Sequence, residues 1–451
     1  MRARESQRAE ILRSGLNALR RAGLEAGEIY LHDIRSNSVS YVGGKVEISE
    51  RRHDLGVGLR GFHRGRVGFS YTSDLRSSGL NRAAHRVAAL VEFLPPDPAN
   101  RLPQPGPRPE VAGNYAPRVE KLSTRRMAGI AAAIEDAARR RVKGLKTREC
   151  RYADVWGEIW IAHSGGLRDS FRMSRSLCWA EVIVPGPKDT RQTGFASAFA
   201  IAPEELDPAG VGREAADRAR AKLGARQPKT AKTAVLLDPT VTAELLSTIA
   251  PALHADEVLK GKSFFAGRLG TQVASSQVTL IDDGVLRKGY ASAPFDGEGV
   301  SQRRTVLIES GMLRGYLHST YSAARMKTAV TGNAMRDSYT GPPRIDTSNI
   351  FLEPSGVKRR ELLASVSEGV YITEVMGLHT LDAITGDFSL GASGNEVRGG
   401  RLGAPLEKLA IAGNALELLR AVRGVADDLR FFPGGQGGAT VLLEDLTVSG
   451  R

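Results

Sequence analysis

Cysteine is almost missing from this chain: Cys150 and Cys178 are the only two in 451 residues. Two thiols exclude a disulfide framework and a zinc site built on paired cysteines, and they suit a reducing compartment. Long apolar runs are missing too, and none approaches the roughly 20 residues that span a bilayer. The amino terminus, MRARESQRAEILRSGL, is basic but has neither the apolar stretch nor the small-residue cleavage site of a secretion signal. No large polar low-complexity tract interrupts a composition of 41% hydrophobic and 25% charged residues. The expectation is a soluble cytoplasmic protein with no membrane partner. Cofactor fingerprints are absent as well. TGN at 331–333 and AGN at 412–414 lack the spacing of a Walker or dinucleotide loop.

Positive charge is what the sequence has in excess, with a net +13. A nucleic-acid surface gathers such charge on one face. Here arginines run along the whole chain with acids interleaved. The densest cluster, ARRRVKGLK at 138–146, reads as the basic last turn of a helix, where the dipole favours it. Nucleic acid is therefore not the expected partner.

The stretch PPDPANRLPQPGPRPEVAGNYAP, residues 95–117, carries eight prolines and reads as an extended linker. The same order of elements appears on both sides of it. Residues 1–94 open with a helix bearing Ile11, Leu12, Leu16 and Leu19 on one face. Short strands follow (EIYLHDIRSN, SVSYVGGKVEISERR, LGVGLRGF and RVGFSYTS), and LNRAAHRVAALVEFL closes the unit as a helix. Residues 118–227 repeat helix, strands, helix. From 228 to 451 glycine-punctuated hairpins predict a β-rich, barrel-like domain. Within it, DPTVTAELLSTIAPALHADEVLKG predicts one long helix, with Asp238 as its N-cap and Pro239 in the first turn. The fold class is α+β: a duplicated helix/antiparallel-strand region followed by a barrel-like domain.

Three stretches invite a chemical reading. ALHADEVLKGKS, 252–263, holds His254, Asp256 and Glu257, but a zinc site needs about three converging ligands. The nearest histidines, His163 and His318, are far off in sequence, so the stretch reads as a polar helix end. MGLHTLDAITGDFS, 376–389, gathers His379, Asp382, Asp387 and Ser389 in a loop. These are the ingredients of a triad, without the strand–Ser–helix elbow that would present Ser389. FDGEG, 295–299, pairs the carboxylates of Asp296 and Glu298 in what reads as an Asp-Gly turn.

Taken in order, several motifs resemble the C-terminal domain of the TldD/PmbA proteins. They are FFAGRLGTQVASSQVTLIDDG, APFDGEGVSQRRTVLIESGMLRGYLHSTYSAARM, TGNAMRD, VYITEVMG, TGDFSLGASG, IAGNALELL and GGATVLLEDLTVSG. SVSYVGGKVEISERRHDLGVGLRGFHRGRVGFSYTSDL is similar to the first domain of that family. TldD-like members are zinc metalloproteases with an HExxxH helix and a further cysteine ligand in a C-terminal glycine-rich loop. TldE (PmbA)-like members lack these ligands and pair with a TldD-like subunit. Counted back without gaps from SFFAGR, the zinc helix falls on LSTIAP, which places Leu246 and Pro251 at the ligand positions and Ser247 at that of the base. The loop DLRFFPGGQGGAT, 428–440, has no cysteine.

The resemblance thus implies the metal-free TldE/PmbA-like branch: a non-catalytic subunit of a heteromeric peptidase acting on peptides or unfolded segments. It implies no cofactor in this chain, zinc only in a TldD-like HExxxH partner, and a homodimer as a possible state in isolation. His379, Asp387, Ser389, Glu298 and Asn333 become the candidate peptide-binding or interface residues. Two alternatives stay open: an enzyme with its own hydrolytic site around His379 and Asp387, and a regulator associated with DNA gyrase or nucleic acid.

Overall fold

Gly43-Gly44 and Arg64-Gly65 shape the amino-terminal half. All four residues have positive φ, the geometry that a two-residue hairpin turn requires. In the computed structural model, which describes residues 2–450, the chain enters through helix α1 (Arg2–Arg21). It then doubles back between strands β1 (Ala26–Val42) and β2 (Lys45–His63), and again into β3 (Arg66–Thr72), before helix α2 (Ser77–Val91). The order repeats as α3 (Thr124–Arg141), β4 (Lys146–His163), β5 (Arg168–Pro185), β6 (Arg191–Ala200) and α4 (Pro208–Ala221).

The duplicated order builds one sheet, not two. β1 pairs antiparallel with β4, from Glu28↔His163 to Tyr41↔Cys150, giving the six-stranded order β3-β2-β1-β4-β5-β6. All helices of this region cover one face. α1 and α2 bury Leu12, Leu19, Leu80 and Val87 against Ile29, Leu31, Val57 and Leu59. α3 and α4 bury Ile134, Val211 and Ala215 against Cys150, Cys178, Ala180 and Val182. Burial pushes both thiols up to about 12, so they act as packing groups and not as nucleophiles.

Two sequence expectations need correction here. The strands read as separate, EIYLHDIRSN and the start of SVSYVGGKVEISERR, are one continuous β1, and the end of that segment runs on through LGVGLRGF as β2. Residues 45–54 of β2 are all exposed, so the alternation of Val46 and Ile48 with polar neighbours has no dry face beneath it. The proline-rich stretch carries neither helix nor strand over residues 95–116, and it is laced to the carboxy-terminal domain. Asp97 accepts from the Tyr321 hydroxyl at 2.9 Å and pairs with Arg325 at 3.1 Å. Arg108 pairs with Asp169 and donates to Ser301 Oγ at 2.9 Å.

The carboxy-terminal domain is a closed barrel. β7 (Ala231–Leu237) lies between strands Glu368–Met376 and Val441–Ser449. Asp387–Arg398 and Arg401–Asn414 continue the sheet, and Ala410↔Ser449 and Ile411↔Val448 close it. Helix α5 (Pro239–Ile249) packs Val241, Leu245, Leu246 and Ile249 into the barrel core. Asp238 caps it, accepting from the Thr240 N–H at 3.0 Å, with Pro239 in the first turn as predicted. The helix is shorter than the sequence suggests. Pro251 has no N–H to donate, so the chain tightens into a 3₁₀ turn at Ala250–Leu253 and resumes as the short helix Ala255–Leu259.

The barrel domain sits on the open face of the sheet through a buried ionic junction. Arg60 donates to Glu28 Oε2 at 2.6 Å and to Glu298 Oε1 at 2.7 Å, while Arg336 pairs with the other Glu28 oxygen. Two acids and two arginines thus balance away from water. Burial pulls the Glu298 carboxyl upward, but Arg60 and the Thr320 N–H (2.8 Å) outweigh it and hold the group below the usual range. Asp296, desolvated and beside that charge, is pushed up to about 7.

Two predictions follow from this packing. Arg60→Met strands Glu298 without its cation, and breaking such a buried pair costs on the order of 3–5 kcal/mol; the urea unfolding midpoint should fall accordingly. His318 is buried, and desolvation lowers it to about 4. The unfolded chain takes up that proton near pH 6.5, so the unfolded state binds more protons between pH 6.5 and 4. His318 therefore contributes stability above that window and loses it as pH falls through it. Denaturation at a series of pH values should show the stability gap between wild type and His318→Gln shrinking from pH 6.5 to 4 and flat above pH 7.

Candidate functional site

Successive residues of a strand point to opposite faces of the sheet. With Cys178, Ala180 and Ala196 facing the helices, Leu177, Trp179, Phe195 and Ser197 of β5 and β6 face the barrel domain. They form one wall of a groove. The opposite wall is α5, which shows it Thr240, Ala243, Glu244 and Ser247, at helical spacing along one side. The end is closed by Phe432, Pro433 and Gln436 of the glycine-rich loop. This part of the groove holds about 380 Å³. It continues past Phe195, Thr240 and Glu244 into a polar part of about 730 Å³. Gly438 keeps the loop close to the helix: a Cβ there would lie 1.8 Å from the Pro239 carbonyl oxygen, so no other residue fits.

In the polar part nearly every charge is answered. Arg218 binds Asp238 at 3.1 Å and Glu214 at 3.0 Å, and Arg430 also takes Glu214 at 3.0 Å. Lys222 binds Glu374 at 2.7 Å, and Arg359 lies 3.6 Å from Asp428. Glu244 is different. Burial, then the charge of Glu374, raises its carboxyl above the ordinary range.

The positions singled out by the family frame lie along this helix, and they do not fit a zinc ion. Leu246 is 3% exposed and turned into the barrel core. Ser247 faces the groove, but its hydroxyl donates to the Glu244 carbonyl at 2.8 Å. Pro251 is exposed and has no donor atom to give a metal. The loop from Asp428 to Thr440 offers neither cysteine nor histidine: Arg430 and Phe431 pair with Gly437 and Gly438, and Asp428 accepts from the Thr440 N–H and hydroxyl at 2.8 and 2.7 Å. Both cysteines are locked in the sheet core.

His254 stands at the start of the short helix Ala255–Leu259, where its carbonyl accepts from Glu257 and Val258. Asp256 and Glu257 are engaged by Lys260 at 3.5 and 2.7 Å. Burial lowers the His254 imidazole. The stretch is thus a helix end whose two acids pair with Lys260, while His254 Nε2 and Asp256 Oδ1 have no hydrogen bond among the described residues.

The remaining candidates separate into two groups. His379 is exposed in a 3₁₀ turn, Leu378–Thr380, and Asp387 and Ser389 are exposed at the start of the next barrel strand. Asp387 accepts from Asn414 Nδ2 at 2.9 Å, and the Ser389 N–H donates to Thr380 Oγ1 at 3.2 Å. Among the described residues no hydrogen bond joins His379 to either, so the triad ingredients are not assembled.

Glu298 and Asn333, by contrast, lie inside the protein, which corrects the idea that they offer themselves to a peptide. Glu298 belongs to the ionic junction, and Asn333 donates to Asp282 at 2.7 Å. FDGEG does turn the chain, but both of its carboxylates point inward. Asp296 accepts from the N–H groups of Glu298, Val300 and Ala334, each at 2.9 Å. The groove walls were missed by sequence reading. Their signal is the alternation Leu177/Trp179 and Phe195/Ser197, which names a face only once the covering helices are known.

Three successive stretches match known domains: residues 27–91 the PmbA/TldA metallopeptidase domain 1, residues 117–223 its central domain and residues 230–450 its C-terminal domain. The chain is 26% identical to the metalloprotease PmbA of Escherichia coli O157:H7, over 95% of this chain and 93% of that protein. Among solved structures it superposes on a protein from Thermotoga maritima MSB8 described as a candidate modulator of DNA gyrase. There the TM-score is 0.88 at 26% identity, covering 99% and 100% of the two chains. It shares its fold with TldE from Thermococcus kodakarensis, with a TM-score of 0.87 at 20% identity and coverage of 98% and 100%.

The geometry of α5 yields a reconstitution test. The triple variant L246H/S247E/P251H should purify without stoichiometric zinc by elemental analysis, because no third ligand reaches the helix. Replacing the buried Leu246 should also cost on the order of 2–5 kcal/mol of stability. One zinc per chain would overturn this reading of the site.

Proposed function

The chain belongs to the PmbA/TldD family of metallopeptidases, and on that premise we propose that it is the non-catalytic subunit of a heteromeric zinc peptidase. One observation carries the proposal. The stretch that falls in the frame of the TldD-like zinc helix, α5 and the 3₁₀ turn after it, presents a core leucine, a self-bonded serine and a proline. Neither a zinc ion nor an activated water can be held by such a set. Beside this stretch runs the groove, walled on one side by apolar side chains of the sheet and on the other by α5. A surface of this kind suits an extended peptide. Zinc and the attacking water are then supplied by a TldD-like HExxxH subunit, and this chain contributes binding surface to the shared substrate.

The stretch 376–389, a connection that runs into the start of the strand Asp387–Arg398 and not a loop throughout, remains the candidate for contact with the peptide or the partner through the exposed His379, Asp387 and Ser389. It also leaves Met376 and Ile384 more than half exposed, at 57% and 55%.

Co-expression with a TldD-like subunit provides the test. The pair should co-purify with zinc assigned to the partner alone, and peptide cleavage should need both chains. His379→Ala with Asp387→Ala should lower cleavage several-fold without moving the thermal midpoint of this chain. Stoichiometric zinc in the isolated chain, or cleavage by it alone, would overturn the proposal.

A further inference from the structure

Among the described residues, the groove along α5 contains one carboxylate without a hydrogen bond or ion pair of its own, that of Glu244. Of the residues lining its apolar part, only Glu244 is ionisable; the others used here are Leu177, Trp179, Phe195 and Phe432. Glu244 lies where the apolar and polar parts meet. Its neighbours in the polar part have their own partners: Arg218 and Arg430 hold Glu214, Arg218 also holds Asp238, and Lys222 holds Glu374. The Glu244 carboxylate has no hydrogen bond or ion pair among the described residues; only its main-chain carbonyl is used, by Ser247 at 2.8 Å and Thr248 at 2.9 Å. Beside it Phe195 leaves 53% of its surface to solvent. An uncovered aromatic wall next to an unpaired, half-buried acid is complementary to one kind of group: a cation carried on an apolar stem.

We propose that this groove binds a peptide through an ammonium or guanidinium group seated on Glu244, with its aliphatic stem lying along Phe195 and Trp179. The cation is the side chain of a lysine or arginine, or the amino terminus of the peptide. A pocket of about 380 Å³ falls in the usual range for small-ligand sites, roughly 300–1,000 Å³. Aromatic faces add attraction for a cation close by. The proposal rests on the reading of this chain as a peptide-handling subunit, but it concerns binding by the chain alone, so the two can fail separately.

The test uses the full chain and fluorescent pentapeptides followed by anisotropy. One blocked peptide carries a central lysine, a second carries norleucine in its place, and a third is the norleucine peptide with a free amino terminus. At least one cationic peptide should bind tenfold or more tighter than the blocked norleucine peptide, and the arm that does so identifies the source of the cation. Glu244→Gln should abolish that preference without lowering the thermal midpoint, since no internal partner is lost. Phe195→Ala should weaken every peptide alike. Binding of the cationic peptide should also fade as pH falls, beginning at a higher pH than for an ordinary carboxylate, because Glu244 takes up its proton early. Equal affinity for all three peptides, no binding of any, or a lysine preference that survives Glu244→Gln would overturn the assignment. None of those outcomes bears on zinc or on cleavage by the reconstituted pair.

Discussion

Arg60 stands between two buried carboxylates, one on the amino-terminal sheet and one on the barrel domain, and the relation of the two halves depends on it. A buried ion pair is a poor source of net stability, because desolvation consumes most of the attraction. Its strength is discrimination. Any docking of the barrel domain that moved Glu298 off Arg60 would leave charges unpaired in the interior, and Glu28 binds Arg336 from the same domain. Around this junction the contacts are apolar and adaptable: Phe295 meets Phe171 edge-on at 5.0 Å and packs among Tyr30, Ile159 and Ile161. The ionic junction selects the position, and the apolar contacts supply the burial. The groove is a consequence, because β5 and β6 overhang α5 only when the sheet is held at that position.

The sequence made the local elements legible where one face is wet and the other dry. The α1 pattern Leu12, Leu16, Leu19 predicts a helix because only its inner side meets β1 and β2. Asp238-Pro239 marks the start of α5 because cap and first-turn chemistry are local. Legibility failed where the environment was not local. Residues 45–54 are a strand wet all round, so no buried face marks their continuity with LGVGLRGF, and α5 was read as too long because the apolar Ala250–Leu253 segment is as compatible with a 3₁₀ turn as with a helix. FDGEG has the composition of a surface turn, and the burial of Glu298 is matched by Arg60, which arrives from more than 200 residues away in sequence.

The candidate site was legible only in part for the same reason. The family frame places Leu246, Ser247 and Pro251 on a helix, and the structure adds which way each one points. His379, Asp387 and Ser389 are near in sequence, yet their hydrogen bonds run to Asn414 and Thr380 and not to each other. Glu244 carries no motif at all. It stands out only after its neighbours have been paired off, which is a three-dimensional property.

The groove also depends on what holds α5 in place. Metal sites often supply folding energy, so that removing the ion loosens the site. Here α5 is held by other means: the Asp238 cap, four apolar side chains in the barrel core, and the close approach of Gly438 to its first turn. Of these anchors only Leu246 occupies a ligand position of the family frame. Leu246 strengthens the anchoring, since it faces the core where a metal ligand would have to face the groove, and Ser247 bonds to its own helix. Pro251 ends the helix without disturbing the residues that line the wall. The wall of the groove is therefore held by capping and packing within this chain alone.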